Sequence, residues 1–310
     1  MNRNKKDIKK RRKTALICLA AAAIAAALIH YTIFIYLPAV SDQSGIVPGE
    51  GCALFAFLDV GQGDSTLIMS DSGCMLIDAG PDSSEERLRT KLDMRGIGRI
   101  DLCFFTHTDE DHIGGGDMLL REFEVGTVYL PDTGRDSRSF LDMESAAAEA
   151  GVPVLPCSAG DRFMLGSVSV RVLAPKYPFP DDVNDASLIM IISVGETNAI
   201  FSGDAGSSVE KDILAIYRID GDAESFSLLP RCGLLKAGHH GSSTSTCAEW
   251  IDTFRPDYGV ISCGRGNSFG HPHADVLDRL RRAGASVLRT DVSGDVIIFT
   301  DGETFSVRRS

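Results

Sequence analysis

The chain offers no pair of cysteines at C-x-x-C spacing. Its eight cysteines, Cys18, Cys52, Cys74, Cys103, Cys157, Cys232, Cys247 and Cys263, are scattered singly, which indicates neither a zinc knuckle nor a disulfide framework. Histidine is scarce as well, seven in 310 residues, with none between His112 and His239. Positive charge is thin outside the extreme N-terminus. Residues 1–13, MNRNKKDIKKRRK, hold eight of the 31 basic and one of the 43 acidic residues, leaving 23 basic against 42 acidic and a net of −19 for the remainder. Such a body repels polyanions unless bound cations or a local basic patch reverse the field, which weighs against a broad nucleic-acid groove but leaves room for a phosphodiester at a metal cleft.

What is present begins with one long apolar run. Residues 14–37 are 24 positions without a charged side chain, TALICLAAAAIAAALIHYTIFIYL, enough to cross a bilayer core as a helix with Tyr31 and Tyr36 near its interfacial end. A cleaved signal peptide shares the basic start, but its apolar region is usually shorter and no small-x-small site follows, so an uncleaved anchor is expected. The basic leader 1–13 places the N-terminus in the cytoplasm and the body outside. Seven unpaired cysteines in the body sit uneasily with an oxidising compartment. Residues 38–52 read as a tether rich in proline, glycine and serine, and 53–310 as the folded body.

Within that body, short apolar strands alternate with single helices. Strands are expected at Ala53–Asp59, Thr66–Met69 and Cys74–Asp78, with Asp71-Ser72-Gly73 as a hairpin turn. Helices are expected over Ser84–Arg95, Asp117–Phe123, Phe140–Ala150, Cys247–Phe254 and Ala274–Ala283. The buried-strand run Ile100–Phe105 leads directly into Thr106–Gly116, THTDEDHIGGG. His107, Asp109, Asp111 and His112 form H-x-D-x-D-H, a set of imidazoles and carboxylates suited to a divalent metal. Three glycines then allow a sharp turn. Further along, Asp204 falls in a strand-to-helix turn, where it could serve as a cap, and His239-His240 precede Gly241 at the end of another apolar pair.

These residues resemble the metallo-β-lactamase fold signature H-x-[HD]-x-D-H. More narrowly, FLDVGQGDSTLI, MLIDAG, SGD (202–204), HHGS (239–242) and N-x-x-x-H-P (267–272) are similar to the extracytoplasmic hydrolase domain of ComEC-type DNA-uptake proteins. The resemblance implies a four-layer αββα sandwich of mixed α/β class, here preceded by one transmembrane helix. It implies one or two divalent metals, zinc by default and manganese as the alternative. His107 and Asp109 would hold one ion, Asp111, His112 and His239 the other, and Asp204 would bridge them. Either histidine of the 239–240 pair could be the ligand, with His239 favoured. His271, helped by His240, would protonate the leaving group, and Asp111 would act at the reacting centre. Asp59, Asp64, Asp78, Lys236 and Asn267 would orient these groups. The middle histidine usual for the fold is absent, Asn184 and Asp185 being the nearest polar candidates, so β-lactam hydrolysis is not expected.

A metal-activated water acting on a phosphodiester, in DNA or a cell-wall polymer, is the expected chemistry. The alternative is a non-catalytic, metal-stabilised binding module at the cell surface. No protein partner is expected beyond the membrane contact of the N-terminal helix.

Overall fold

A computed structural model of the chain describes residues 47–134, 137–219 and 229–308. The expected leader, the apolar run 14–37 and most of the tether lie outside the described residues. Among the described residues no helix is long and apolar enough to cross a membrane. All seven described cysteines are free.

Two sheets face each other. The chain first lays down β1 (Ala53–Phe57), β2 (Thr66–Ser70), β3 (Gly73–Ile77), β4 (Arg99–Phe104), β5 (Glu124–Leu130) and β6 (Val154–Pro156). It then crosses to β7 (Arg162–Leu165), β8 (Val168–Ala174), β9 (Ile189–Val194), β10 (Thr197–Phe201), β11 (Leu234–Lys236), β12 (Tyr258–Ile261) and β13 (Ser286–Arg289). Finally β14 (Val296–Thr300) and β15 (Phe305–Arg308) return to the first sheet. The sheet orders are β15-β14-β1-β2-β3-β4-β5-β6 and β13-β12-β11-β10-β9-β8-β7.

Alternation within the strands explains the layering. Ala53, Phe55, Phe57, Ile68, Met75, Ile77 and Phe104 face inward, against Val168, Val170, Val172, Met190, Ile192 and Phe201 of the second sheet. The intervening residues Leu54, Ala56, Leu67 and Leu76 face out, packing with Leu88 and Leu92 of the helix Glu85–Met94, Leu119 of Gly116–Glu122 and Met143 of Arg138–Ala150. Ile189, Ile191, Ile200 and Leu235 do the same on the other side, meeting Ile213, Trp250, Phe254 and Leu280 from the helices Ser207–Ile219, Ala248–Phe254 and Ala274–Arg282. Each large side chain so buried contributes about 1.5–3 kcal/mol. The result is the helix–sheet–sheet–helix layering expected from sequence. Helix Ser207–Ile219, whose length was not bounded from sequence, and a short helical turn at Glu110–Ile113, within what read as a loop, are additions.

Both sheets change character midway. The hairpin strands β1, β2 and β3 are antiparallel, whereas β3-β4-β5-β6 run parallel. Likewise β8-β9-β10 are antiparallel and β10-β11-β12-β13 parallel. Parallel strands need helical crossovers, and their carboxyl ends all open at one edge. That edge is where β3 runs into Asp78, β4 into Thr106 and His107, β10 into Asp204, and β11 into His239 and His240.

Candidate metal centre

The loop after β4 is shaped by its neighbours. Asp64 N–H donates to the Asp111 carbonyl at 3.1 Å and Ala79 N–H to that of His112 at 2.7 Å. At Gly63, φ is +152° and a Cβ would lie 2.4 Å from the Asp111 carbonyl oxygen, so only glycine lets the two loops approach. Ser137, the N-cap of helix Arg138–Ala150, accepts from Phe140 N–H and donates its hydroxyl to the Thr108 carbonyl at 2.7 Å, pinning the loop to that helix.

The loop after β11 is held as firmly. Glu210, buried on the face of its helix that also carries Ile213 and Leu214, accepts from Thr246 N–H and Cys247 N–H at 2.8 Å each. Ser245 donates to the Ala205 carbonyl at 2.8 Å, and Arg279 to the Ser245 carbonyl at 3.1 Å. These ties hold His239 and His240 at φ of +48° and +52°, left-handed conformations that cost a non-glycine residue about 1 kcal/mol or more.

Side chains from both loops converge. Ligand-type atoms of Asp64, His112, Asp204 and His240 all lie within 4.8 Å of one another, and all four residues are buried. His112 Nε2 is 3.3 Å from Asp204 Oδ1, and His240 Nε2 is 3.4 Å from Asp204 Oδ2 and 3.1 Å from Asp111 Oδ2. The His107 and His112 ring centroids are 4.1 Å apart. Further out, His107 Nε2 lies 3.8 Å from Asp109 Oδ2 and His239 Nε2 lies 3.7 Å from Asp204 Oδ2.

Behind the cluster stands a set of orienting groups. Asp78 receives His112 Nδ1 at 2.8 Å, Thr106 N–H at 2.7 Å and the Thr106 hydroxyl at 2.8 Å. That fixes the His112 tautomer with Nε2 free to face Asp204. His240 Nδ1 lies 3.1 Å from the Ser262 carbonyl and 3.2 Å from Asp64 Oδ1. Asp64 Oδ2 is in turn paired with Lys236 Nζ at 2.6 Å, so this carboxylate backs His240 although it lies within the four-residue cluster. Ser187 Oγ lies 3.3 Å from His107 Nδ1, beside the Thr106 hydroxyl at 3.1 Å, and accepts from Asp204 N–H at 3.1 Å.

Charge is closely balanced here. Burial would raise the Asp204 carboxyl, but the imidazoles of His240 and His112 hold it well below the usual range. Asp111 is lowered too, against burial, by its bond to His240. Burial would lower His112 and His240, yet Asp204, with Asp78 for the first and Asp64 for the second, keeps both well above the ordinary imidazole value. His107 goes the other way, down to about 3, because burial and the neighbouring His112 disfavour its charge. Burial raises the Asp78 carboxyl even beside His112.

The residues fit a metal. His107 Nε2 is buried without a hydrogen-bond partner, and His112 Nε2 and Asp204 Oδ1, both buried, have only each other at 3.3 Å; unsatisfied groups of this kind are rare unless something else binds them. Imidazole nitrogens and carboxylate oxygens converging from three separate segments form a donor set for a divalent ion, which would displace the protons that His112 and His240 hold without it.

Of the remaining expected residues, Asp109 is at the rim with its side chain 45% exposed. Asp59 accepts from Gly61 N–H at 3.1 Å and pairs with Arg87 at 3.6 Å, which makes it a turn staple with no ring nitrogen among those partners. Asn267 donates to the Gly264 and His271 carbonyls and accepts from Phe269 N–H and His271 N–H, so it shapes the loop that presents His271. The His271 ring lies 5.7 Å from His239 and 6.2 Å from His240 between centroids, and burial with those two rings pushes its pKa down to about 4. At the position of the absent middle histidine, Asp185 Oδ1 accepts from Gly206 N–H at 2.9 Å, while Asn184 Oδ1 is buried without a partner. Thr106, Ser187, Ser262 and Glu210 were not singled out from sequence. Only Glu210 carried a signal, a carboxylate on the apolar face of a helix.

A two-sheet sandwich with helices on both outer faces, and histidines and aspartates gathered at the carboxyl ends of its parallel strands, defines a metallohydrolase-type scaffold. Residues 58–265 match the family model described as the metallo-beta-lactamase superfamily, and the chain belongs to that superfamily. The chain is 30% identical to ComE operon protein 3 of Bacillus subtilis, over 86% of its own length and 34% of that protein. It is 29% identical to Recombination protein 2 of Haemophilus influenzae, over 77% and 28% of the two chains, and 27% identical to Competence protein ComA of Neisseria gonorrhoeae, over 82% and 33%. These relatives accord with the ComEC-type hydrolase domain indicated by the motifs. The chain spans about a third of their length. Among solved structures, CmlA, a diiron β-hydroxylase from Streptomyces venezuelae, superposes with a TM-score of 0.51 at 15% identity over 78% of this chain and 53% of that one, a likeness of fold alone.

Proposed function

We propose that the chain is a metal-dependent phosphodiesterase of the nuclease type, anchored by residues 14–37 with its folded body on the extracytoplasmic side. The observation that carries the chemistry is the convergence of buried ligand-type atoms, His107 Nε2 without a partner and His112 Nε2 facing Asp204 Oδ1 at 3.3 Å, beside His240 Nε2 and Asp111. His112, His240, Asp111 and Asp204 would hold one divalent ion, and His107 and Asp109 a second that shares Asp204, with zinc the default and manganese the alternative. Such ions, when bound, supply a hydroxide-like water near neutral pH and offset negative charge on a transferring phosphoryl group. The chain's own residues do the rest. Asp78 and Asp64 keep His112 and His240 in the tautomers that turn Nε2 inward, and Ser187 positions both His107 and Asp204. His271, at the rim with its pKa pushed down to about 4, is neutral at physiological pH and accepts a hydrogen bond or a proton from a group entering beside His239. That suits positioning the attacking side better than the leaving-group acid expected from sequence. Two relatives, one named for recombination and one for competence, support a nucleic-acid strand as substrate over a wall polymer.

The test is metal analysis of the purified protein, followed by turnover of bis-p-nitrophenyl phosphate and a single-stranded oligonucleotide by wild type and Asp111→Ala. Metal with turnover that Asp111→Ala abolishes is expected. Bound metal without turnover of any phosphodiester returns the protein to a binding module. Protease accessibility on intact cells tests the topology.

A further inference from the structure

Beside the metal centre lies a groove of about 480 Å³, lined by Gln62, Pro81, Arg87, Glu110 and Phe269 together with Asp111. Its volume is within the range of about 300–1,000 Å³ usual for small-molecule sites. Phe269 is 63% exposed, yet it is not a loose surface residue. Its N–H donates to Asn267 Oδ1 at 3.1 Å, and the same loop is tied to Gln62 of the groove by Gly264 N–H donating to Gln62 Oε1 at 3.0 Å. The Phe269 ring stacks on His271 at 5.6 Å and 21°, and His271 lies nearly parallel to His240 at 6.2 Å and 28°. A series of rings therefore runs from solvent to the metal centre, with one aromatic face uncovered at its outer end.

Arg87 lines the same groove, half-exposed and only loosely paired with Asp59 at 3.6 Å. Glu110 beside it is already engaged, its Oε1 accepting from Asp82 N–H at 3.0 Å. In so acidic a body, a cation and an exposed aromatic face flanking the path to the metal centre match one repeat of a single-stranded nucleic acid: a base to stack and a phosphate to neutralise. We propose that this groove is a nucleotide subsite in which Phe269 stacks a base next to the bond being cleaved and Arg87 takes the adjoining phosphate. This rests on the phosphodiesterase reading and narrows its substrate to a strand that carries bases.

Fluorescence anisotropy would compare a labelled dodecathymidylate with an abasic dodecamer of the same charge, in the full-length protein with zinc added. Stacking one base predicts a preference of about 5- to 100-fold for the base-bearing strand. Phe269→Ala should collapse that ratio toward one and Phe269→Trp should restore it. Arg87→Gln should lower the slope of log affinity against log salt by about 0.7. A wild-type ratio of one, a ratio that survives Phe269→Ala, or tighter binding of a glycerol-phosphate polymer overturns the proposal. If the Phe269-dependent preference holds but bis-p-nitrophenyl phosphate is not turned over, the hydrolase reading fails and the subsite stands. Turnover without the preference has the opposite meaning.

Discussion

The four imidazoles nearest Asp204 fall into two pairs that differ in what lies behind them. His112 and His240 are backed by carboxylates, Asp78 and Asp64, at 2.8 and 3.2 Å from Nδ1. His107 and His239 are backed by hydroxyls, Thr106 at 3.1 Å and Ser187 at 3.3 Å behind the first and Thr244 at 3.4 Å behind the second. A carboxylate behind an imidazole fixes its tautomer and makes it a stronger donor, whereas a hydroxyl does the first weakly and the second hardly at all. Burial reinforces the contrast for the 239–240 pair, since the His240 side chain is 2% exposed and that of His239 29%. On the metal reading, the carboxylate-backed pair would retain an ion and the hydroxyl-backed pair would exchange one or meet substrate.

The contrast can be broken at its hinge. Asp204 touches both pairs, so Asp204→Ala should remove most bound metal and cut phosphodiester turnover by about 1,000-fold, read by elemental analysis and initial rates.

Charge balance supplies a second test. The folded pKa values of His112 and His240 are raised above the ordinary 6.5, so their contribution to the stability of metal-free protein is complete below that value and is lost as pH rises through the folded pKa. Urea midpoints of chelated protein should therefore fall from pH 6.5 upward, by up to about tenfold in the folding equilibrium per pH unit for each imidazole. Zinc-loaded protein, in which the ion takes the place of those protons, should show no such fall.

The backing groups themselves should rank in the same order. Asp78→Asn and Asp64→Asn are expected to weaken metal binding by about 10- to 100-fold in competition with a chromogenic chelator. Ser187→Ala and Thr244→Ala should cost less than about fivefold, the worth of one modest hydrogen bond. Equal losses in the two sets would dissolve the distinction between the pairs.

Much of this was legible in the chain before it folded. H-x-D-x-D-H after a buried strand announced donors at a sheet edge, and alternation in the strands announced two covered sheets. The choice between His239 and His240 was not legible. Adjacent residues share one sequence context, and only the left-handed turn held by Glu210, Arg279 and Ser245 sends His240 inward and leaves His239 at the rim. Asp59 and Asp64, five residues apart in one motif, looked equivalent. Asp64 lies beneath His240 because Lys236, 172 positions away, is there to pair with it, while Asp59 closes a turn with Gly61.

The sequence alone determined which chemistry is available: imidazoles and carboxylates at strand ends, in a body where acidic residues outnumber basic ones 42 to 23. Tertiary structure decided which of those groups meet and which ring nitrogen each presents. The reason is that a donor's role depends on what contacts its far side. Those contacts, Asp78 to His112 and Lys236 through Asp64 to His240, come from strands distant in the chain and adjacent only in the folded sheets.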